Sequence, residues 1–195
     1  HDMESLVRKC GGEKAFTQRL DTFFTHKIWD QRYHIGLFQI ANEPGFLIPT
    51  LYNYVNQQNK TAKIVRYILK NRYKTTRDGI PGNDDSGSMS AWYIFHSLGF
   101  YPNAGQDVYL ISSPIFKETI IHLENGKALK IVTKKNNDKN IYIQSATLNG
   151  KPLTKNWFRH GDISEGGTLE FIMGPKPSKW SQNGELPPSM SNNHR

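Results

Sequence analysis

The apolar spacing of this chain changes period once, near residues 101–107, from a helical repeat to a strand repeat. A single switch argues for helices and strands segregated along the chain, not the alternation that builds a parallel α/β sheet. In Glu13–Phe24, residues Phe16, Leu20, Phe23 and Phe24 share one helical face behind the Gly11-Gly12 break. Pro49 is placed to open a further helix through Leu51, Tyr52, Tyr54 and Val55. A polar hinge, Gln57-Gln58-Asn59, comes after it. From Lys60 to Tyr73 the pairs Ile64/Ile68 and Val65/Leu69 lie opposite lysines and arginines, which predicts a helix. Met89, Trp92, Tyr93 and His96 predict another, with Gly99 as its terminator.

After the switch come short β-type runs at Val108–Ile111, Glu118–Leu123, Ala128–Thr133, Ile141–Ala146 and Leu169–Met173. Asn125-Gly126 and Asn149-Gly150 are hairpin signals of type I′, so the second part is expected to be an antiparallel β unit. The last twenty residues carry Pro177, Pro187 and Pro188, just beyond Pro175, and are expected to form an extended tail ending in disorder.

Composition excludes several classes. Aromatic residues reach 12%, which suits a packed core and not a disordered chain. No apolar run approaches the roughly 18 residues needed to cross a bilayer, so membrane insertion is not expected. Cys10 stands alone, which leaves the redox compartment open. The formal charge of +8 raises a nucleic-acid hypothesis, but the cations are scattered and no nucleic-acid-binding fingerprint accompanies them; solvated faces explain them better. There is no G-x-S-x-G, H-E-x-x-H, P-loop or cysteine pair, and His26, His34 and His96 form no metal spacing.

Two stretches carry chemistry. Gly82-Asn83-Asp84-Asp85-Ser86-Gly87 sets adjacent carboxylates before a helix, where amides and the helix dipole offset their repulsion. One reading is a cap, with Asp85 or Ser86 accepting the first free amides. The other is a site in which an ionised carboxylate serves as general base or metal ligand. Gln39-Ile40-Ala41-Asn42-Glu43-Pro44 offers hard oxygen donors of the kind Ca²⁺ prefers, or a capped turn before a proline. Trp29, Tyr33, Phe38, Phe46, Tyr52, Tyr54, Trp92 and Tyr93 surround these stretches; most are expected in the core and one or two against a sugar.

Asn42-Glu43-Pro44, Leu51-Tyr52-Asn53-Tyr54, the run from Asp78 to Trp92, and Leu98-Gly99-Phe100-Tyr101-Pro102 together closely resemble glycoside hydrolase family 92, the calcium-dependent exo-acting α-mannosidases. Ser113-Pro114-Ile115-Phe116 and Leu148-Asn149-Gly150-Lys151 agree with the family's C-terminal region. The resemblance implies an α+β chain: residues 1–104 as the last helices of an (α/α)₆ barrel, 105–175 as an antiparallel, sandwich-like β unit and 176–195 as the tail. It implies inverting release of terminal α-linked mannose, α-1,2 foremost, from mannan or N-glycan chains in the periplasm or outside the cell.

By the same resemblance, Asp85 is the general base, with Asn83 where members often carry a second, base-assisting Asp. Asp84 and Trp92 are substrate-binding candidates, and Gln39, Asn42 and Glu43 are expected to hold Ca²⁺. Gly45-Phe46-Leu47 replaces the Ser-His-His or Ser-His-Gln of many members, and Ala41 replaces the usual Gly. The family's general-acid Glu belongs to a motif upstream of residue 1, and Glu4 and Glu13 do not match it. The chain is therefore expected to be a C-terminal portion, inactive alone, that acts with the N-terminal part of the same enzyme. A catalytically inactive carbohydrate-binding module is the alternative.

Overall fold

The computed structural model describes residues 2–26 and 34–192. Trp29 and Tyr33 lie outside these residues, as does the side chain of His34. The helices are α1 (Met3–Lys9), α2 (Glu13–Thr25), α3 (Gln58–Asn71) and α4 (Ser88–Leu98). The short hairpin β1–β2 (His34–Ile35, Phe38–Gln39), a 3₁₀ turn at Glu43–Gly45 and a 3₁₀ helix at Ile48–Val55 connect α2 to α3. Pro49 stands at the start of that helix as expected, but its winding is 3₁₀ throughout. Gln58 belongs to α3 and not to a solvated hinge: its side chain is buried and donates to the Ser112 carbonyl at 2.5 Å.

Beyond α4 lie β3 (Phe100–Pro102), β4 (Val108–Ile111), β5 (Glu118–His122), β6 (Ala128–Lys134), β7 (Tyr142–Leu148), β8 (Lys151–Pro152), β9 (Trp157–Arg159) and β10 (Gly167–Gly174). They form a three-stranded sheet, β3-β4-β9, and a five-stranded sheet, β5-β6-β10-β7-β8. The wholly antiparallel expectation needs correcting, because β10 inserts between β6 and β7 and runs parallel to β6. Alternating burial reports which face of a strand is inside, not which strand lies beside it. Asn149 and Gly150 both have positive φ, as a type I′ turn requires, whereas at the other hairpin only Gly126 does.

The two sheets share a core in which Leu129, Ile131, Leu169 and Phe171 meet Phe100, Ile111 and Phe158. Other residues of the smaller sheet, Val108, Leu110 and Trp157, join the helical core of Phe16, Phe24, Ile40, Ile68 and Trp92. A division at 104/105 thus falls between paired strands, β3 and β4. The joint is further tied by a buried polar network. Asn53 donates to the carbonyls of Ile111 (2.8 Å) and Asn156 (3.0 Å), accepts from Thr61 (2.7 Å), and its own carbonyl accepts from Asn156.

The tail is pinned down through Asn192, the last described residue, and the end expected to be disordered lies outside the described residues. Trp180 donates to the Leu153 carbonyl, Trp157 to the Glu185 carbonyl and Asn56 to the Gly184 carbonyl. At its end Ser191 donates to the carboxylate of Asp2, the N-cap of α1, whose Oδ1 also accepts from the Ser5 amide. These bonds hold the two described chain ends together.

Candidate active site

The acidic loop closes on the Gln39–Phe46 segment through three ties. First, Gly82 lies directly on Ala41: a Cβ at Gly82 would fall 2.8 Å from the Ala41 carbonyl oxygen and 2.9 Å from its Cβ. Glycine is the residue that permits this approach. Second, the indole N–H of Trp92 donates to the Phe46 carbonyl at 3.0 Å. Third, the carboxyl of Asp85 faces that of Glu43, so that the two can share a proton when one is protonated.

Local backbone geometry presents Asp85 outward. Asp85, Ser86 and Gly87 have φ of 46°, 59° and 89°, three consecutive residues in the left-handed region, after which α4 begins. Such conformations strain non-glycine residues, and that strain concentrates where a side chain has to be aimed. The capping function falls to Asp84, whose Oδ1 accepts from the Ser90 amide at 2.8 Å. Asp85 is exposed and meets Glu43 instead, while its carbonyl accepts from the Ser88 hydroxyl at 2.7 Å. Capping and presentation are thus divided between adjacent aspartates.

This division alters the electrostatics. A helix N-terminus by itself favours an ionised carboxylate, but a proton shared with the Glu43 carboxyl pushes the Asp85 carboxyl up from the ordinary aspartate value. Desolvation and the charges of Glu43 and Asp84 push in the same direction.

Asn42 and Glu43 stand at the start of the 3₁₀ turn, which is closed by Gly45 N–H to the Asn42 carbonyl (3.0 Å) and Phe46 N–H to the Glu43 carbonyl (2.9 Å). The Asn42 side chain makes no capping bond. Gln39 is exposed beside this turn, its carbonyl oxygen 2.6 Å from where a Cβ on Gly45 would fall. The exposed amide of Asn83 is on the acidic loop. Among the described residues no group of three or more His, Cys, Asp or Glu side chains is placed to hold a metal. A hard cation draws on carbonyl and amide oxygens as well as carboxylates, the donor types that Gln39, Asn42 and Glu43 carry.

Trp92 needs correcting. Its side chain is 0% exposed, packed parallel to Tyr73 at 5.8 Å and against His96 at 4.2 Å, so it offers no face to a sugar. Phe46, one of the departures from the family pattern, is also buried, and its carbonyl is what Trp92 holds. Neither the Gly82–Ala41 approach nor the Trp92–Phe46 bond has a local sequence signal, since each joins segments some forty residues apart.

The chain belongs to glycosyl hydrolase family 92, whose catalytic domain matches residues 1–175. It is 38% identical over 195 residues to a protein of Arthroderma benhamiae described as an uncharacterized secreted glycosidase, covering 97% of this chain and 24% of that protein. It superimposes with a TM-score of 0.88 and 35% identity on the family GH92 α-mannosidase BT3965 of Bacteroides thetaiotaomicron, solved with mannoimidazole, covering 92% of this chain and 25% of the other. The family GH92 inverting mannosidase BT2199 of the same species gives a TM-score of 0.83 at 30% identity, with 98% and 28% covered. The chain therefore spans about a quarter of the length of these relatives. Among the described residues, no helix is long and apolar enough to cross a membrane.

Proposed function

We propose that this chain supplies the water-activating and cation-binding part of an α-mannosidase site, within a longer family 92 polypeptide acting outside the cytoplasm on terminal α-linked mannose. The observation that carries this reading is the meeting of Asp85 with Glu43 from a separate loop, each held in place by backbone and core contacts.

In an inverting hydrolysis one carboxylate takes a proton from the attacking water while a carboxylic acid protonates the leaving oxygen, the two roughly 6.5–9.5 Å apart. Asp85 is exposed on a strained turn, as a general base must be to reach a water against the sugar. Asn83 can orient that water by an amide hydrogen bond. Asp84, with one oxygen engaged by the Ser90 amide, has its second oxygen for a sugar hydroxyl. Glu4 and Glu13 do not match the family's general-acid motif, so residues 1–195 are read as the base side of this reaction.

Asn42, Glu43 and the neighbouring Gln39 would hold Ca²⁺, which when bound supplies positive charge for sugar hydroxyls and for the facing carboxylates. Glu43 would serve the cation, and Asp85 would take the proton of the attacking water. The α-1,2 linkage comes first among substrates because of the family resemblance. Phe46 turns into the core, so its side chain gives the sugar no donor at this turn.

The test uses the full polypeptide. Asp85→Asn is expected to lower mannose release from an α-mannoside by about 10²–10⁴-fold. A chelator should abolish release and Ca²⁺ restore it, and a set of α-1,2-, α-1,3- and α-1,6-mannobioses reads the linkage. Asp85→Asn turnover close to that of the wild type would overturn the assignment.

A further inference from the structure

We infer that Trp92 is a positioning residue: its indole N–H fixes the Glu43 turn at the distance from α4 that lets Glu43 meet Asp85. The role presupposes that Asp85 and Glu43 form the site proposed for this chain. Trp92 and Asp85 are joined as one lever. Asp85 lies just before α4, and Trp92 lies within that rigid helix. The ring cannot rotate freely, because Tyr73 stacks on it with planes 3° apart, His96 packs beside it, and the Tyr73 hydroxyl is itself tied to the α4 backbone by donation to the Met89 carbonyl at 3.1 Å. From this fixed ring the N–H reaches 3.0 Å to the carbonyl of Phe46.

Phe46 is where that bond has most effect on Glu43. Its amide closes the 3₁₀ turn by donating to the Glu43 carbonyl at 2.9 Å, and its ring is buried in the helical core. One residue is therefore bonded through its N–H to Glu43 and through its carbonyl to the helix that Asp85 precedes. The other close approach between the segments, Gly82 on Ala41, bears on the chain before Asn42. Trp92 constrains the turn from its C-terminal side, so the two ties bracket Asn42 and Glu43.

A side chain that only fills volume and one that positions the turn respond differently to removal of the N–H alone. Replacing Trp92 with β-(3-benzothienyl)alanine keeps the ring's size and substitutes sulfur for N–H; Trp92→Phe is the genetically encoded counterpart. The probe is amide hydrogen exchange at Gly45 and Phe46, referenced to Val65 and Ile68 in the core of α3. Exchange at Gly45 and Phe46 is expected to accelerate at least tenfold more than at the α3 amides in both variants. Equal acceleration at all four amides overturns the inference and leaves Trp92 as packing only. The readout needs neither calcium nor turnover: inactivity of the full wild-type polypeptide would sink the mannosidase reading, while uniform exchange would sink the positioning one.

Discussion

The carboxyl group of Asp85 faces the carboxyl group of Glu43, and a proton shared between them, with desolvation and the charges of Glu43 and Asp84, raises the proton affinity of Asp85 above that of a free aspartate. A raised carboxyl binds protons more tightly in the folded chain than in the unfolded one. Its stabilisation is therefore present at low pH and is lost as pH rises through the shifted value. At neutral pH the pair opposes folding. Glu43→Gln should increase the melting temperature of the chain at pH 7 without added cation, and carboxyl-detected NMR titration should find Asp85 returned towards the ordinary aspartate range. An unchanged Asp85 titration would contradict the contact.

His96 is wholly buried, stacked on Tyr101 with ring planes 2° apart, and neither ring nitrogen has a hydrogen-bond partner. Burial pulls it down to about 3. Unfolded chains take up that proton near pH 6.5, so stability is complete above this value and drains as pH falls below it, by about 1.4 kcal/mol per unit. Urea unfolding of the wild type and of His96→Phe at pH 6.5 and pH 5 should show the wild type losing about 2 kcal/mol more over that interval. Parallel pH profiles would show that His96 is not the group taking up the proton on unfolding.

Asn53 satisfies two carbonyls and a hydroxyl at the joint between helices and sheets, all out of contact with water. Truncation leaves these groups without partners in a medium where that is costly. Asn53→Ala should cost about 3–5 kcal/mol in equilibrium urea unfolding. A loss below about 1 kcal/mol, the net worth of a single hydrogen bond, would mean that the network re-forms around the gap.

The Asp2 carboxylate is held well below the usual range, first by the Ser191 hydroxyl. A depressed carboxylate contributes stability above its unfolded value near 4, and that contribution is lost as pH falls through the folded value. Ser191→Ala should flatten the decline in melting temperature between pH 4 and pH 2 and speed amide exchange at Ser5. Wild-type exchange at Ser5 in the variant would show that the tail does not secure α1.

Local sequence already held much of this arrangement. The apolar faces of α2 and α3, the strand at Val108–Ile111, the Asn149-Gly150 turn and the stop at Gly99 arise from side-chain periodicity and backbone freedom within a few residues. The two site segments could also be found, because glycines beside acidic residues and an Asn-Glu-Pro turn are local chemistry. Tertiary structure alone decided which aspartate caps the helix and which faces Glu43, that Trp92 belongs to the core, that β10 lies parallel to β6, and that the tail clasps Asp2. Almost all of these depend on a partner distant in the chain. Spacing along a sequence gives the face a residue occupies, but only packing gives the neighbour across it.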